Sequence, residues 1–401
     1  MFGFVLWFVR CLCDFSVFLC ILINKSYGFY KPVLVSQIKV NKPAFATFIP
    51  NLNGDKYHVA ISSFNGAPFS ADHVFHVANF SLNSSYPIQQ LSNKNLVWPN
   101  EISYTNKSVI SPSVDPYGGL VVPGGFLVPT KENGGIFYYP YTSKDRSGVT
   151  TSDPIEFTLN SQGKTKWFYH RVIWADVSGD GQDDILTCRT YKPIIGTTKT
   201  ELVAFIFDSK TQTFDEKVIL NDVCDVFFEV ADVDRDGRFE IIASGFFISK
   251  LNVIYSNDPN NSFLNGNIIV QTIDPTGGNF FDIRIDDLDG QGNLELLVTN
   301  HQGNKDKVKG SLYFYTLTGS VKSGNWTRNL VYNNFPVIKS GISSAAPGSA
   351  KAFYPNLKDK TTRKYILVAG DGSEQAYLFQ PTPTGALSYT LVWTQLYKGI
   401  L

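Results

Sequence analysis

The sequence predicts an all-β protein, and three observations carry the prediction. Aromatic residues make up 14% of the 401 residues and charged residues 17%, with 32 Gly, 20 Pro and a single Met. This composition is typical of many short strands joined by tight turns. No stretch beyond the N-terminus shows a long apolar stripe at the period of a helix. Finally, the middle of the chain repeats a strand-turn-strand pattern, which indicates a repetitive β architecture.

The repeat is clearest in three segments that align without gaps, each a strand, an acidic turn and a second strand. They span residues 174–186, 230–242 and 285–297. Fainter copies surround them when the apolar strand after the turn serves as the anchor. The six anchors lie 55 to 70 residues apart and are Val59, Leu120, Ile185, Ile241, Leu296 and Ile366.

Two further strand-like runs follow each anchor, so that one unit contains four strands. In the third unit they are residues 202–207 and 218–220. Four strands form the blade of a β-propeller, which closes in a ring and leaves few sheet edges exposed, whereas a linear solenoid needs capping repeats. We therefore predict a propeller, with six blades preferred and seven open. We also expect residues 33–40 to pair near residues 389–396 and to fasten the ring.

The acidic turns place oxygen-bearing side chains at positions 1, 3, 5 and 9, a spacing that suits calcium. Calcium takes about six to eight oxygen ligands, and alternate side chains of a tightly curled loop converge on one centre. Position 7 is expected to contribute its backbone carbonyl. The predicted ligands are Asp176, Ser178, Asp180, Gln182 and Asp184; Asp232, Asp234, Asp236, Arg238 and Glu240; and Asp287, Asp289, Gln291, Asn293 and Glu295.

An EF-hand opens with the same spacing, but it requires a bidentate Glu at position 12. Thr187, Ala243 and Val298 occupy that position here, and apolar strand residues follow position 9. A turn rich in Asp and Asn that needs no ion is the alternative for any single copy. Three turns that each concentrate carboxylates would repel themselves, so we favour structural calcium. The turns of the other three units, such as the one at Asp115, retain fewer oxygens.

These units resemble the FG-GAP (also called VCBS) repeats of integrin α-subunit propellers and of many secreted proteins. The match is specific over residues 176–186, 232–242 and 287–297 and diffuse elsewhere. The resemblance implies calcium in the loop between the first and second strands of a blade, usually with a structural role. Integrin-like propellers generally have seven blades, whereas six first strands are counted here.

The N-terminus indicates an extracellular or cell-surface location. Residues 1–28 read as a signal peptide, with Arg10 before an apolar run from Phe15 to Ile23 and a small-x-small triplet ending at Gly28. A retained signal anchor is the alternative. In both cases residues 29–401, predicted to form a single propeller domain, lie outside the cytosol.

Glycosylation patterns and the cysteines agree with that compartment. Only Cys188 and Cys224 follow residue 28, and they form either one disulfide or two buried thiols. Five Asn-x-Ser/Thr patterns mark glycosylation acceptors. They are Asn79, Asn83, Asn106, Asn260 and Asn325.

Charge and motifs exclude several functions. Lys plus Arg equals Asp plus Glu at 35 each, so no bulk field attracts nucleic acid. The chain has no serine nucleophile elbow, phosphate loop or zinc-binding His-Glu-x-x-His pattern. Charges do recur on the strands before the acidic turns, opposite an apolar face, and would gather at the channel if these strands are innermost. They are Arg171, Glu229, Asp282, Arg284 and Lys351, with His170 beside them.

Such a cluster either binds a ligand or satisfies itself by ion pairing, and we favour pairing. We therefore expect a calcium-stiffened module whose end loops bind an extracellular protein or glycan. The alternative is a carbohydrate-active lyase or hydrolase at the channel mouth. No nucleic-acid partner and no membrane insertion after signal cleavage are expected. Aromatic candidates for a binding surface, which otherwise pack as core, are Trp98, Tyr138, Tyr139, Tyr141 and Trp326.

Overall fold

A computed structural model describes the strand backbones of residues 4–7, 16–26 and 29–37 and the chain from 38 to 396. Within the latter, the described residues exclude 55, 68, 81–86, 92–94, 152, 159–165, 209, 212, 266, 302–309, 337–346, 356–361 and 371. Helical structure in the described chain is a single 3-10 turn, Val321–Ser323. None of the helical structure described is long and apolar enough to cross a membrane.

The N-terminal strands form a three-stranded sheet of β1 (Phe4–Trp7), β2 (Ser16–Ser26) and β3 (Phe29–Val40). β3 pairs with β2 along its length. The expectation that residues 33–40 pair near residues 389–396 is therefore wrong. The physical reason is that the last blade takes all four of its strands from its own stretch of chain.

Six antiparallel four-stranded sheets follow, each with its strands in chain order. Blade 1 contains β4 (Pro43–Pro50), β5 (Tyr57–Ser63), β6 (His73–Phe80) and β7 (Ile88–Leu91). Blade 2 contains β8 (Ser103–Tyr104), β9 (Gly119–Pro123), β10 (Ile136–Pro140) and β11 (Ile155–Glu156). Blade 3 contains β12 (Phe168–Ala175), β13 (Asp184–Tyr191), β14 (Lys199–Asp208) and β15 (Thr213–Asn221).

The second half of the ring repeats this plan. Blade 4 contains β16 (Phe228–Ala231), β17 (Glu240–Ser244), β18 (Leu251–Ser256) and β19 (Ile268–Asp274). Blade 5 contains β20 (Asn279–Asp286), β21 (Glu295–His301), β22 (Ser311–Leu317) and β23 (Trp326–Tyr332). Blade 6 contains β24 (Ala350–Phe353), β25 (Tyr365–Gly370), β26 (Gln375–Pro381) and β27 (Tyr389–Leu396).

The predicted six-bladed propeller is confirmed. Each of the six anchor residues lies in the second strand of its blade, and the acidic turns connect first to second strands. The second and third strands are almost wholly buried, because their apolar side chains pack between neighbouring blades. For example, Leu186 and Leu202 of blade 3 pack with Ile241 and Ile254 of blade 4, and all four are fully buried. Each such side chain contributes about 1.5–3 kcal/mol of burial free energy.

The two ends of the ring carry different turns, because successive strands of a blade run in opposite directions. One end, here the acidic face, carries the turns from first to second and from third to fourth strands, including residues 176–183, 232–239 and 287–294. The other end, the connector face, carries the turns from second to third strands and the connections between blades, such as residues 222–227.

β-bulges interrupt the first strands of blades 1, 3 and 5. The register shifts between Tyr169 and Val172 in β12 and between Phe280 and Ile283 in β20, and a third shift follows Pro43 in β4. A bulge adds a residue to one strand and re-aims neighbouring side chains. Arg171 lies in the bulge of β12 and Asp282 in the bulge of β20, and both side chains reach partners in other blades.

The structure joins Cys188 of β13 to Cys224 in a disulfide, with an S–S distance of 2.06 Å and a Cα–Cα distance of 5.8 Å. Cys224 lies in the connection from blade 3 to blade 4. The bond therefore ties the second strand of blade 3 to the segment that starts the next blade.

A buried ion pair links the connector-face turns of blades 1 and 2. Lys131 Nζ lies 2.6 Å from Asp72 Oδ2, with side-chain exposures of 2% and 0%. The same carboxylate accepts the backbone N–H groups of Asn65 and Trp98. We predict that Asp72→Ala lowers the free energy of unfolding by about 3–5 kcal/mol, because it leaves a buried ammonium without its carboxylate. Denaturant unfolding monitored by fluorescence measures this change.

The matched control is Glu132→Ala, which removes a nearby exposed pair. Lys166 Nζ lies 3.4 Å from Glu132 Oε1, and the side chains are 56% and 33% exposed. We expect a change below about 1 kcal/mol, since solvent screens exposed pairs. Equal losses in the two variants would show that burial does not govern the Asp72 contribution.

Candidate functional site

Charged side chains from blades 2 to 5 meet on the channel side of the first strands. The guanidinium of Arg171 lies 2.6 Å from Glu101, 3.0 Å from Glu229 and 2.8 Å from Asp282. Arg284 lies 2.6 Å from Glu101 and 3.2 Å from Glu229. The interaction of Lys351 with Glu101 and Asp282 extends the group to blade 6. We call Glu101, Arg171, Glu229, Asp282, Arg284 and Lys351 the channel charge cluster.

Glu101 is the member that the sequence analysis missed. It precedes the two-residue strand β8, in a unit whose acidic turn is degenerate, so the repeat alignment did not mark it. The strand register identifies it. Tyr104 pairs with the anchor Leu120, and Trp174 pairs with the anchor Ile185, so Tyr104 and Trp174 are equivalent positions. Glu101 lies three residues before Tyr104, and Arg171 lies three residues before Trp174.

Exposure within the cluster rises toward the acidic face. The Arg171 and Asp282 side chains are 4% and 1% exposed, whereas Glu229 and Arg284 are each 22% exposed. Lys351 is exposed. Glu229, Arg284 and Lys351 each pair, on the second strand of their blade, with the residue that directly follows the anchor residue. The three side chains therefore lie at one level of the channel. This level is nearer the acidic turns than Arg171 is. The cluster is therefore reached from the acidic face.

Toward the connector face an aromatic layer covers the cluster. Its ring contacts run from Phe45 to His170 at 5.7 Å, from His170 to Phe227 at 4.6 Å and from Phe227 to Phe281 at 5.1 Å. His301 stacks on Phe281 at 4.3 Å. The structure thus places His170, a predicted channel residue, in a buried layer rather than at the open level. Burial lowers the pKa of His170 to about 3, so the ring is neutral.

The electrostatic environment differentiates the members of the cluster. Burial alone would raise the pKa of Glu101, but Arg171, Arg284 and Lys351 lower it overall. Burial raises the pKa of Glu229 in spite of the two guanidinium groups. Lys351 reaches solvent, yet protein surrounds it on the channel wall, and this loss of hydration, with the charge of Arg284, lowers its pKa. Glu229 is therefore a more basic carboxylate than Glu101.

Carboxylates converge in the second and third acidic turns. Among the described residues, one oxygen from each member of two triads lies within 4.8 Å of the others. The second turn curls because Asp232 accepts the N–H groups of Asp236 and Gly237 at 3.0 and 2.9 Å, and Gly237 supplies the positive φ of 86°. The triads are Asp232, Asp234 and Glu240, and Asp287, Asp289 and Glu295.

The second turn fits a cation on an independent observation. Asp234 Oδ1 is buried and has no hydrogen-bond partner among the described residues. It lines a cavity of about 10 Å³ with Asp236, Glu240 and Asn261, close to the smallest space that holds one water molecule. An unpartnered carboxylate oxygen beside two other carboxylates is an acceptor set that suits a hard divalent cation. These clusters can hold a metal ion.

The other predicted ligands take part differently. In the first turn, Asp176 accepts the N–H groups of Gly179 and Gly181 at 2.7 and 2.8 Å. Asp184 accepts the N–H of Ser178 at 2.9 Å, and no converging triad of the type above is described there. Several remaining members engage backbone groups of their own turns. The N–H groups of Gln182, Arg238 and Gln291 donate to Asp180, Asp236 and Asp289, respectively.

Each acidic turn also contacts the next blade. The Val321 N–H of blade 5 donates to Asp234 of blade 4 at 2.6 Å, and the Phe263 N–H of blade 4 donates to the Val177 carbonyl of blade 3 at 2.8 Å. Lys364 of blade 6 donates likewise to the third turn. A cation in these turns would therefore stiffen the junctions between blades.

In the degenerate turn of blade 2, hydrogen-bond donors of the protein surround a buried carboxylate without a cation. The fully buried Asp115 accepts from the Ser108 hydroxyl, the Val109 N–H and the Tyr138 hydroxyl, each at 2.7 Å. Protein donors thus satisfy this carboxylate.

Other predicted surface residues divide into two groups. The acceptors Asn79, Asn106, Asn260 and Asn325 are exposed, and Asn83 lies outside the described residues. The aromatic binding surface is wrong for most of its candidates, because their rings fill the core between blades. Trp98, Tyr138, Tyr139 and Tyr141 are at most 3% exposed, and Trp326 is half-buried.

Comparison with known proteins identifies the fold. No family model and no curated protein matches the chain, so the FG-GAP resemblance is not confirmed. The chain is similar to the periplasmic gluconolactonase of Pseudomonas aeruginosa, with 13% identity, a TM-score of 0.58, and coverage of 98% of this chain and 95% of the other. It is also similar to a candidate 6-phosphogluconolactonase of Bacteroides uniformis, with 12% identity, a TM-score of 0.52 and 94% coverage of both. At these identities the likeness shows the propeller fold alone.

We predict that a chelator lowers the melting temperature more at about pH 8 than at about pH 5.5. Without a cation, burial and neighbouring carboxylates raise the pKa of Glu240 to about 8 and that of Glu295 to about 7. These groups then hold protons in the folded state that the unfolded state releases. The stability of the cation-free protein therefore falls as pH rises through this range, whereas a bound cation neutralises the carboxylates. Calorimetry with and without EDTA measures the difference.

The variant Glu240→Gln is expected to reduce the chelator effect, and Asp208→Asn is its control. Asp208 lies on the same face, and the donors described for its carboxylate, Lys210 and Thr211, belong to its own turn. A chelator effect that is absent from the wild type, or unchanged in Glu240→Gln, would contradict a cation in the second turn.

Proposed function

We propose that the protein is an extracytoplasmic hydrolase that opens lactones or related esters of sugar acids at the acidic-face mouth of its channel. The observation that carries the proposal is the accessible level of the channel charge cluster, where Glu229, Arg284 and Lys351 lie side by side on three blades. Likeness in fold to two propellers named as lactonases supports a hydrolase over a binding module. The predicted signal peptide and the disulfide support the extracytoplasmic location.

Glu229 is the general base in this proposal. Both guanidinium contacts of Glu229 fall on Oε1, which leaves Oε2 to take a proton from a water molecule. The water oxygen attacks the lactone carbonyl carbon, and the carbonyl oxygen becomes an oxyanion. Arg284 and Lys351 stabilise that charge, because the fold already holds these cations beside the position where it develops. The ring C–O bond then breaks, and the proton passes from Glu229 to the leaving oxygen to give a hydroxy acid.

Calcium has a structural role in this proposal. The acidic turns offer oxygen donors only, which favours calcium or magnesium over transition metals, and their irregular geometry favours calcium. The turns lie at the junctions between blades, and the open level of the channel is built on first strands that lead into those turns. Calcium would thus hold the catalytic residues in place without contacting the substrate.

A binding module for an extracellular protein or glycan is the second candidate, and the charge balance of the cluster favours it. Three cations face three carboxylates, and Arg171 and Arg284 together contact all three carboxylates. A self-satisfied network needs no substrate to neutralise it. Against a binding module, most of the aromatic residues predicted for its binding surface are buried between blades.

We predict that Glu229→Gln lowers kcat for lactone opening by about 100- to 10,000-fold, the usual contribution of a general base. The amide keeps an oxygen that accepts from Arg171 and Arg284, so the melting temperature should change little. Hydrolysis of a panel of aldonolactones and sugar-acid esters in a pH-stat measures the rates.

Glu216→Gln is the matched control, since Glu216 also pairs with a buried arginine, at 2.7 Å from Arg189, but belongs to the outermost strand of blade 3. Its kcat should equal that of the wild type. Full activity in Glu229→Gln would refute the proposed base. A wild type that hydrolyses none of the panel but retains a glycan on an array would favour the binding module.

A further inference from the structure

The most exposed large apolar side chains of the described chain lie on the connector face. Ile194 and Ile195 are 99% and 91% exposed at the tip of the turn between β13 and β14. Phe69 is 89% exposed in the corresponding turn of blade 1, where its backbone adopts a positive φ of 61°. On the acidic face, Leu52 and Val114 reach only 51% and 45%. Exposed apolar tips of this size indicate an interaction surface.

Exposed charges on the connector face are mostly positive. Among its described residues, four exposed lysines stand against one exposed carboxylate, Asp222. Two of the lysines flank the Ile194 tip, and the ammonium of Lys192 lies 4.3 Å from the ring centre of Phe247. Apolar tips surrounded by lysines suit the boundary between acyl chains and anionic headgroups. The lysines are Lys166, Lys192, Lys199 and Lys250.

Four predicted glycosylation acceptors lie at the other end. Asn106 follows the first strand of blade 2, Asn79 lies near the end of the third strand of blade 1, and Asn260 and Asn325 follow the third strands of blades 4 and 5. These four described positions therefore belong to the acidic face. Glycans there would keep that face in solvent and leave the connector face bare.

The chain also enters the propeller at the connector face. Lys42 precedes β4 and donates to Asn65 at 3.0 Å, in the same turn that carries Phe69. The apolar run Phe15 to Ile23 precedes this point in the sequence. If that run is retained as a signal anchor, the alternative to cleavage, its link to the propeller lies at the connector face.

From these four observations we propose that the connector face docks on a lipid bilayer, with Phe69, Ile194 and Ile195 inserted among the headgroups. Insertion of loop tips needs no membrane-spanning segment, but it departs from the sequence expectation of no membrane insertion after signal cleavage. The channel mouth lies on the acidic face, so docking leaves it open to solvent. The proposal does not depend on the catalytic function proposed above.

The test places a photoreactive amino acid at single positions of the full chain and mixes the protein with vesicles. Ile195 and Phe69 are the test positions, and Leu52 and Val114 are matched apolar controls on the acidic face. The vesicles contain phosphatidylcholine, phosphatidylglycerol and an alkyne-tagged phospholipid. We expect lipid adducts at Ile195 and Phe69 that are at least about tenfold stronger than at the controls. An anchored N-terminus does not blur this result, because adducts report the position of each side chain.

A charge variant provides the second measurement. Lys192→Glu should weaken vesicle adducts at Ile195, whereas Lys210→Glu, an exposed lysine of the acidic face, should leave them unchanged. Adducts that are absent at Ile195 or equal at all four positions would overturn the proposal. Crosslinks from Ile195 to a second copy of the chain, in place of lipid, would overturn it in favour of a dimer. Melting curves verify that each variant is folded.

Discussion

The burial of Arg171 is the constraint on which the centre of this propeller depends. Its guanidinium contacts carboxylates from blades 2, 4 and 5 and the backbone carbonyls of Phe228 and Ile283. A buried charge is tolerated only when its partners satisfy it, so four blades must hold their positions relative to one residue. The bulge in β12 directs Arg171 inward, and the aromatic layer above it excludes water. The open level of the channel is built on this buried pairing.

Buried carboxylates elsewhere in the ring are stabilised in two different ways. In blade 2, hydroxyl and N–H donors surround Asp115 and leave it satisfied. In blade 4, Asp234 retains a buried oxygen that no donor of the described chain contacts, beside Glu240. The first arrangement needs no cation, whereas the second provides oxygen donors that can hold one.

Much of the fold was predictable because the period of the repeat and the apolar anchors are local features of the sequence. The second strands, the acidic turns and the number of blades all followed from them. The charges of blades 3 to 6 were predictable as a group, since they alternate with apolar residues on the first strands. Glu101 was not, because its unit keeps the strand register but has lost the turn that marks it. The role of His170 was misplaced, because a bulge changes the direction in which consecutive side chains point.

The sequence by itself determined the all-β ring and the oxygen-rich turns, because strand periodicity and ligand spacing are set by neighbouring residues along the chain. Only the tertiary structure decided which charges pair across blades, which aromatic rings are core and which end of the ring is open. Those outcomes depend on contacts between residues that are far apart in the sequence. Glu101 and Arg284 are an example, since the closed ring brings their side chains to within 2.6 Å of each other. Local pattern does not encode such distances, since they arise from the packing of all six blades together.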